Sequence, residues 1–425
     1  MPSRSNARLR VVIRAFTVAA MLVSAIVGTF LAGWGAVASA STAAVSTTGL
    51  AAGVSPGASI LYLSDADLSR TISGIVASGA TWLRVDVDWP AAEPTQGTFD
   101  WALSDRVIQA AVAAGLSVDA LAAYTPSWAA DPTTGAPNPA DFASFMTSAV
   151  QHFAPEGVHT WEIWNEPNLS NNWGTTVSPG GYAVLLEQAY RAVKAADSSA
   201  FVMSGGLSPA TNQTDGSQMS PETFLAYMYA AGAKGSFDAV AVHPYAFPAM
   251  PMDSSTSSWN TFFNLQAINQ IMAANGDGAK KVWLTEFGAP TGSDTSGGAV
   301  SASVQASMVT ASFAQAEKWS WAGPIFYYNW QDGTDATSIG DNFGLVTASF
   351  QAKPALAAFT ASAKALSSSS ASSTAPVSTT APVTTTAPVT TTAPVTTTAP
   401  AVGQAPTHRP LWGGRHGQFG RILWV

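Results

Sequence analysis

From residue 50 to residue 366 the chain alternates short apolar runs with longer stretches of helical period. The strand-like runs fall at 50–54, 82–88, 117–124, 160–165, 201–207, 237–243, 282–285 and 324–329. In the first helical stretch Leu68, Ile72, Ile75 and Val76 share one face, Ser64 is placed to cap the start, and Gly79 ends it. The second carries Leu103, Val107, Ile108, Ala111 and Val112 and stops at Gly115, and the last begins near Pro354. Eight such β/α units predict an α/β fold, a closed parallel (β/α)8 TIM barrel with outer helices, as a single catalytic-size domain. The competing arrangement is a doubly wound open sheet. Its glycine-rich nucleotide turn has no counterpart, because Ser204-Gly205-Gly206-Leu207 lacks the required spacing.

The ends of the chain read differently. Arg4, Arg8, Arg10 and Arg14 precede an uncharged apolar run at 15–31, and Ala38-Ser39-Ala40 has the small-x-small form of a cleavage site. Residues 1–40 are therefore expected to be a signal peptide, with an uncleaved membrane anchor as the alternative, and 41–366 the barrel. Residues 367–402 are expected to be a disordered Ser/Thr/Pro-rich linker: a six-residue Ala-Pro-Val-Thr-Thr-Thr period leaves almost nothing to bury. The last segment, 403–425, is short and basic, with Trp412, Trp424, Arg409, Arg415 and Arg421. The signal peptide raises the expectation of a secreted or extracellular protein, and the tail reads as a disordered end, with cell-wall or lipid association through it as the alternative. Loss of the four N-terminal arginines lowers the net charge from −8 to −12, which argues against nucleic acid as a partner. Cysteine is absent, so neither disulfides nor thiolate metal sites arise.

Two of the strand-like runs end on glutamate: Trp161-Glu162-Ile163-Trp164-Asn165-Glu166-Pro167-Asn168 and Val282-Trp283-Leu284-Thr285-Glu286-Phe287-Gly288. Functional residues of a (β/α)8 barrel lie at the C-terminal ends of its strands. Two carboxylates there can flank one bond, and sugar hydrolysis requires such a pair, one giving a proton and the other attacking or stabilising the transition state. Both runs resemble the acid/base and nucleophile motifs of clan A retaining glycoside hydrolases, most closely families 39 and 5, and the resemblance covers residues 50–366.

The resemblance implies Glu166 as acid/base and Glu286 as nucleophile, with carboxyl groups about 5–5.5 Å apart. It implies Asn165 as a contact to the sugar 2-hydroxyl, and Arg84 as the group that orients the nucleophile. A structural pairing of Arg84 with Glu162 remains open, since a buried arginine needs a partner. His243 and Tyr245, after strand six, are expected to touch the nucleophile and the reacting sugar. Trp330, after strand eight, is expected as the platform under that sugar. Tyr124, Trp128 and Trp173 are expected to line neighbouring subsites. Glu93 reads as a structural loop carboxylate. Many family 5 members carry a histidine after strand three, and none stands here, which tilts the resemblance toward family 39. The long loops at 169–179, 246–258 and 289–298 suit an extended cleft or a closed pocket. The expectation is a monomeric glycosidase that needs no metal or cofactor and cleaves a polysaccharide or oligosaccharide. An exo-acting β-xylosidase type and a non-catalytic carbohydrate-binding wall protein are the alternatives. A Schiff-base aldolase is set aside, because no lysine ends a strand-like run.

Overall fold

The structure, a computed structural model, describes residues 47, 49–293 and 297–373. The expected signal peptide, nearly all of the linker, and the basic tail lie outside the described residues. The strands are β1 (Ala52–Ser55), β2 (Trp82–Asp88), β3 (Ser117–Ala123), β4 (Thr160–Asn165), β5 (Phe201–Gly206), β6 (Ala239–Val242), β7 (Lys281–Phe287) and β8 (Ala322–Tyr328). They pair in parallel in that order, and β8 returns to β1, so the sheet closes as a barrel. One main helix follows each strand: α1 (Asp65–Ala77), α2 (Ala102–Ala113), α3 (Pro139–Phe153), α4 (Pro179–Ala196), α5 (Pro221–Ala230), α6 (Thr261–Ala274), α7 (Ala302–Ala316) and α8 (Pro354–Ser373).

The helix starts follow their sequence. Ser64 accepts the Asp67 amide, as its position predicts, and Asn138-Pro139, Ser178-Pro179 and Ser220-Pro221 each place a side-chain cap before a proline in the first turn. Helix α8 continues past Leu366 into the serine-rich stretch, where Ser367 and Ser368 hydroxyls donate to carbonyls a turn earlier. Among the described residues no helix is long and apolar enough to cross a membrane.

Strand alternation divides the core in two. On β2, Leu83, Val85 and Val87 face the helices and join the large outer core. Trp82 faces inward, where it meets Met203, Trp283, Phe326, Ala239 and Ala241 in a separate cluster that plugs the barrel. Trp82 and Trp283 meet edge to face, with ring centroids 5.1 Å apart. Above the plug the same inward positions become Arg84 and Asp86, so the barrel interior changes from apolar to ionic within one strand. Between β5 and β6 the ladder is sparse, with Met203 opposite Ala239, and the Ser204 hydroxyl stands in for a backbone acceptor by taking the Ala241 amide at 3.1 Å.

The plug leaves no room on β1. A Cβ on Gly53 would lie 2.5 Å from the Phe326 ring. Gly53→Ala is expected to cost about 1–3 kcal/mol through overpacking. A thermal melt should show a drop of a few degrees, with the circular dichroism of the folded protein unchanged.

Candidate active site

The middle of β2 and the C-terminal ends of β4, β6 and β7 bring Arg84, Asn165, Glu166, His243, Tyr245 and Glu286 together. The guanidinium of Arg84 is at the centre and almost wholly buried, 2 % exposed. Its Nε donates to Glu162 Oε2 at 2.7 Å and its Nη2 to Glu162 Oε1 at 3.1 Å. Nη1 donates to Glu286 Oε1 at 2.5 Å and to Ser55 Oγ at 3.3 Å, and Nη2 also donates to Asn165 Oδ1 at 2.9 Å. Arg84 thus meets both of its expected partners: one edge of its fork holds Glu162 and another corner holds Glu286. Burial works against its charge, but Glu162 and Glu286 outweigh that, and the guanidinium stays protonated more firmly than usual.

Glu286 is held from two sides, since Tyr245 Oη donates to its Oε2 at 2.8 Å. The Glu166 Oε1 lies 2.9 Å from His243 Nδ1, and its Oε2 accepts from Asn172 Nδ2 at 3.0 Å. His243 Nδ1 is also 3.7 Å from Glu286 Oε2, so the imidazole stands between the two carboxylates. Burial disfavours its charge, but Glu286 and then Glu166 raise its pKa above the ordinary histidine value. One carboxylate oxygen from each of Glu166 and Glu286, with a nitrogen of His243, lie within 4.8 Å of one another. Such a donor set could hold a cation, as could Asp105, His152 and Glu156 on the outer surface, but His152 Nε2 is already bonded to Asp105 at 2.6 Å and Gln109 donates to Glu156.

Supports lie below the cluster. Glu162 also accepts the Gly206 amide at 2.7 Å and the Thr285 hydroxyl at 3.3 Å. Asp119, on β3, is fully enclosed, and neither of its oxygens meets a donor among the described residues. Burial, then the charge of Glu162, pushes Asp119 well above the usual carboxylate range, so it is held as the neutral acid and is itself the donor to Glu162. Backbone conformation at the mouth is unusual for bulky residues: φ is 74° at Tyr124, 77° at Trp164 and 49° at Glu166. The Gly205 position accepts this, because a Cβ there would lie 2.5 Å from the Trp164 carbonyl.

One expected site residue is placed elsewhere. Trp330 is buried against α1, where a Cβ on Gly74 would lie 2.5 Å from its ring. It therefore lines the outside of the barrel and is no platform. The ring that does face the site from β8 is Tyr328, edge-on to Tyr245 at 6.3 Å, with a pKa raised by burial and then by Glu286. The Tyr328–Asn329 peptide between the two aromatics is cis.

The remaining aromatics line a groove. A cavity of about 650 Å3 is bordered by Pro90, Tyr124, Asn172 and Trp173, between the loops after β3 and β4. An adjoining one of about 520 Å3 adds Trp128. Trp173 is itself mostly buried against Trp164 and Tyr182, and Trp128 donates to the Glu93 carbonyl at 3.0 Å. Glu93 accepts from Trp89 Nε1 and the Gly97 amide, each at 2.7 Å, as a structural loop carboxylate does. Sequence reasoning missed Asp86, Asp119, Asn172, Tyr328 and Gly206. Alternation with Arg84 was the available signal for Asp86. For the others there was none short of the fold.

Residues 40–333 match the family model described as cellulase, glycosyl hydrolase family 5. The missing histidine after β3 does not prevent that match. No curated protein matches this chain. Solved structures that resemble it include a family 39 glycoside hydrolase from the gut symbiont Bacteroides cellulosilyticus WH2, with TM-score 0.61, 23 % identity, and 75 % of this chain and 64 % of that one covered. A monomeric β-xylosidase from Caulobacter crescentus CB15 has TM-score 0.57 and 18 % identity, with 73 % and 67 % covered. An exo-β-1,4-mannosidase from Opitutaceae bacterium strain TAV5 has TM-score 0.56 and 17 % identity, with 74 % and 59 % covered. At these identities the likeness is one of fold, and this chain spans less than two thirds of the first of them.

Gly206 is where backbone and site meet most closely. A Cβ there would lie 2.1 Å from His243 Nε2 and 2.8 Å from Glu162 Oε1. Gly206→Ala must displace the imidazole, so kcat is expected to fall about 100-fold or more, while KM moves little. Steady-state kinetics on whichever glycoside the wild type cleaves will check this.

Proposed function

The chain belongs to the cellulase family, glycosyl hydrolase family 5, and from that premise we propose that it is a secreted, retaining glycosidase in which Glu286 is the nucleophile and Glu166 the acid/base. The observation that carries the mechanism is the approach of the two carboxylates, with an oxygen of each inside 4.8 Å. Retaining enzymes hold their carboxyl groups about 5–5.5 Å apart, whereas inverting ones leave about 6.5–9.5 Å for a water.

In the first step a Glu286 oxygen attacks the anomeric carbon as the bond to the leaving oxygen breaks. The bonding pair goes to that oxygen, which takes the proton of Glu166. Water then attacks the glycosyl ester, Glu166 accepts its proton, and the ester's bonding pair returns to Glu286. Arg84 and Tyr245 each hold one oxygen of Glu286, so the carboxylate is oriented before attack and its charge is received when it leaves. Because Arg84 takes Asn165 Oδ1, the amide's NH2 is left to donate to the sugar 2-hydroxyl. His243 and Asn172 fix Glu166.

The groove beside Glu166 supports a chain-like substrate, a polysaccharide or oligosaccharide whose leaving portion lies between the loops after β3 and β4, and hence endo action. An exo-acting, β-xylosidase-type reading is favoured by the xylosidase and exo-mannosidase among the structural neighbours. The basic and then apolar N-terminus ending in Ala38-Ser39-Ala40 supports export, and the basic tail supports wall association. A monomeric neighbour is compatible with a monomer here.

The two glutamates separate by role. Glu286→Ala should depress every substrate by several powers of ten. Glu166→Ala should spare a dinitrophenyl glycoside in the first step, accumulate the glycosyl-enzyme, and regain turnover with azide, giving a product of retained configuration. Leaving-group dependence and product stereochemistry, read by NMR, are the measurements. An inverted azide product, or azide rescue confined to Glu286→Ala, would reverse the assignment.

A further inference from the structure

Each of the three glutamates of the cluster has its oxygens engaged: Glu162 by Arg84 and Gly206, Glu286 by Arg84 and Tyr245, and Glu166 by His243 and Asn172. Asp88 caps the Ala91 amide at 2.9 Å. Asp86 differs. It stands one inward position nearer the mouth than Arg84 on β2, it is only 6 % exposed, and its carboxyl makes no hydrogen bond to any described residue. A carboxyl that is buried without a partner costs several kcal/mol of lost hydration unless something supplies a donor. Asp119 shares that lack, but it is sealed beneath Glu162 and answers it as a proton donor. Asp86 opens on the site.

The surroundings restrict what the donor is. Asp86 feels Arg84 and Asp88 from its own strand, Glu286 from β7 and Glu162 from β4. Its charge is felt in turn by Tyr124 at the end of β3, Tyr328 at the end of β8, and Tyr62. Carboxylates outnumber the guanidinium, so an anionic group finds repulsion here and a hydroxyl or ammonium finds an acceptor. Position restricts it further. Asp86 lies one inward position beyond Arg84, whose Nη1 holds Glu286, and within reach of the Glu286 charge, so it stands near the carboxylate to which the sugar would be bonded.

We infer that Asp86 is a specificity-determining residue that accepts a hydrogen bond from a donor substituent, hydroxyl or ammonium, of the sugar joined to Glu286, and that it excludes uronates. The inference deepens the glycosidase reading and rests on Glu286 as nucleophile. A carboxyl kept ready for substrate strains the empty protein. Burial first, then Asp88, Glu286 and Glu162, against the opposing effect of Arg84, push it up to about 7. Because its folded value lies above the ordinary 3.8, its contribution to stability is full below about pH 4 and is lost as pH rises through 7.

The test uses dinitrophenyl β-glycosides of glucose, xylose, mannose, glucosamine and glucuronic acid, which carry no leaving-side sugar. Wild type, Asp86→Asn and Asp86→Ala are compared. On the best neutral sugar, Asp86→Ala is expected to lose about tenfold to 100-fold in kcat/KM and Asp86→Asn less, because the amide keeps an acceptor. The glucuronide is expected to be refused by wild type and to gain at least tenfold, relative to the neutral sugar, in Asp86→Asn. If the partner is an ammonium, the glucosaminide falls relative to the glucoside in Asp86→Asn; if a hydroxyl, that ratio holds. An unchanged ranking of all five sugars in Asp86→Ala overturns the inference. Melting curves keep folding separate: Asp86→Asn should gain more in Tm at pH 8 than at pH 4. If wild type cleaves none of the five, the choice of nucleophile and reaction is what fails. Asp86 is then judged on binding, by whether glucose or glucosamine raises the Tm of wild type more than that of Asp86→Asn, and equal shifts overturn it.

Discussion

A single buried guanidinium organises this molecule. Arg84 joins β2 to β4 through Glu162 and Asn165, to β7 through Glu286, and to β1 through Ser55. A charge this deep in a barrel is costly alone and is tolerable only with complete, well-directed pairing. The rest of the interior can be read as the conditions for that pairing. Glu162 is kept in place by a backbone amide, a hydroxyl and the neutral acid Asp119. Gly206 is bare so that Glu162 and His243 can both approach. Removing any one partner would leave a charge uncompensated, so the network is held as a unit.

The apolar plug beneath explains how such a network persists. Trp82, Met203, Trp283 and Phe326 fill the N-terminal half of the barrel, so water has little route to the ion pairs from below. Burial there supplies the stability that the mouth spends on left-handed backbone at Tyr124, Trp164 and Glu166 and on an unpartnered Asp86. Left-handed backbone at bulky residues thus gathers toward the strand ends, where a substrate can approach.

The barrel was legible because its signal is local. An apolar run followed by a helical period recurs eight times, and each strand lies within about three residues of its expected bounds. The two glutamates were legible because each closes a strand. His243 and Tyr245 were legible for the same reason, and Arg84, inside β2, as a buried charge in need of partners, with a resemblance to say which positions matter. Trp330 shows where that reasoning stops. Trp330 was expected at the site from its position just after the strand-like run, where Tyr328 also stands. The choice depends on Tyr245 meeting the Tyr328 ring and on Gly74 of α1 leaving a slot for the larger one. Neither is a property of the stretch itself. Asp119 and Gly206 were illegible for a related reason: their roles come from side chains on neighbouring strands, and spacing along the chain carries no trace of them.

The distribution of charge bears on which sugar chemistry the site admits. Around one guanidinium stand Glu162, Glu286, Asp86 and Asp88, with Glu166 and His243 opposite. An oxocarbenium-like transition state carries positive charge on the sugar ring. A carboxylate surplus that is fixed before substrate arrives favours that charge more than it favours a neutral ground state, and such a difference is what lowers a barrier. The same surplus would repel a carboxylate on the sugar in both states. Arg84 limits the effect, since without it the carboxylates would take up protons and the field would collapse. The ion pair that makes the interior stable therefore also keeps the mouth negative, and the stabilising and the chemical roles of Arg84 are one electrostatic fact.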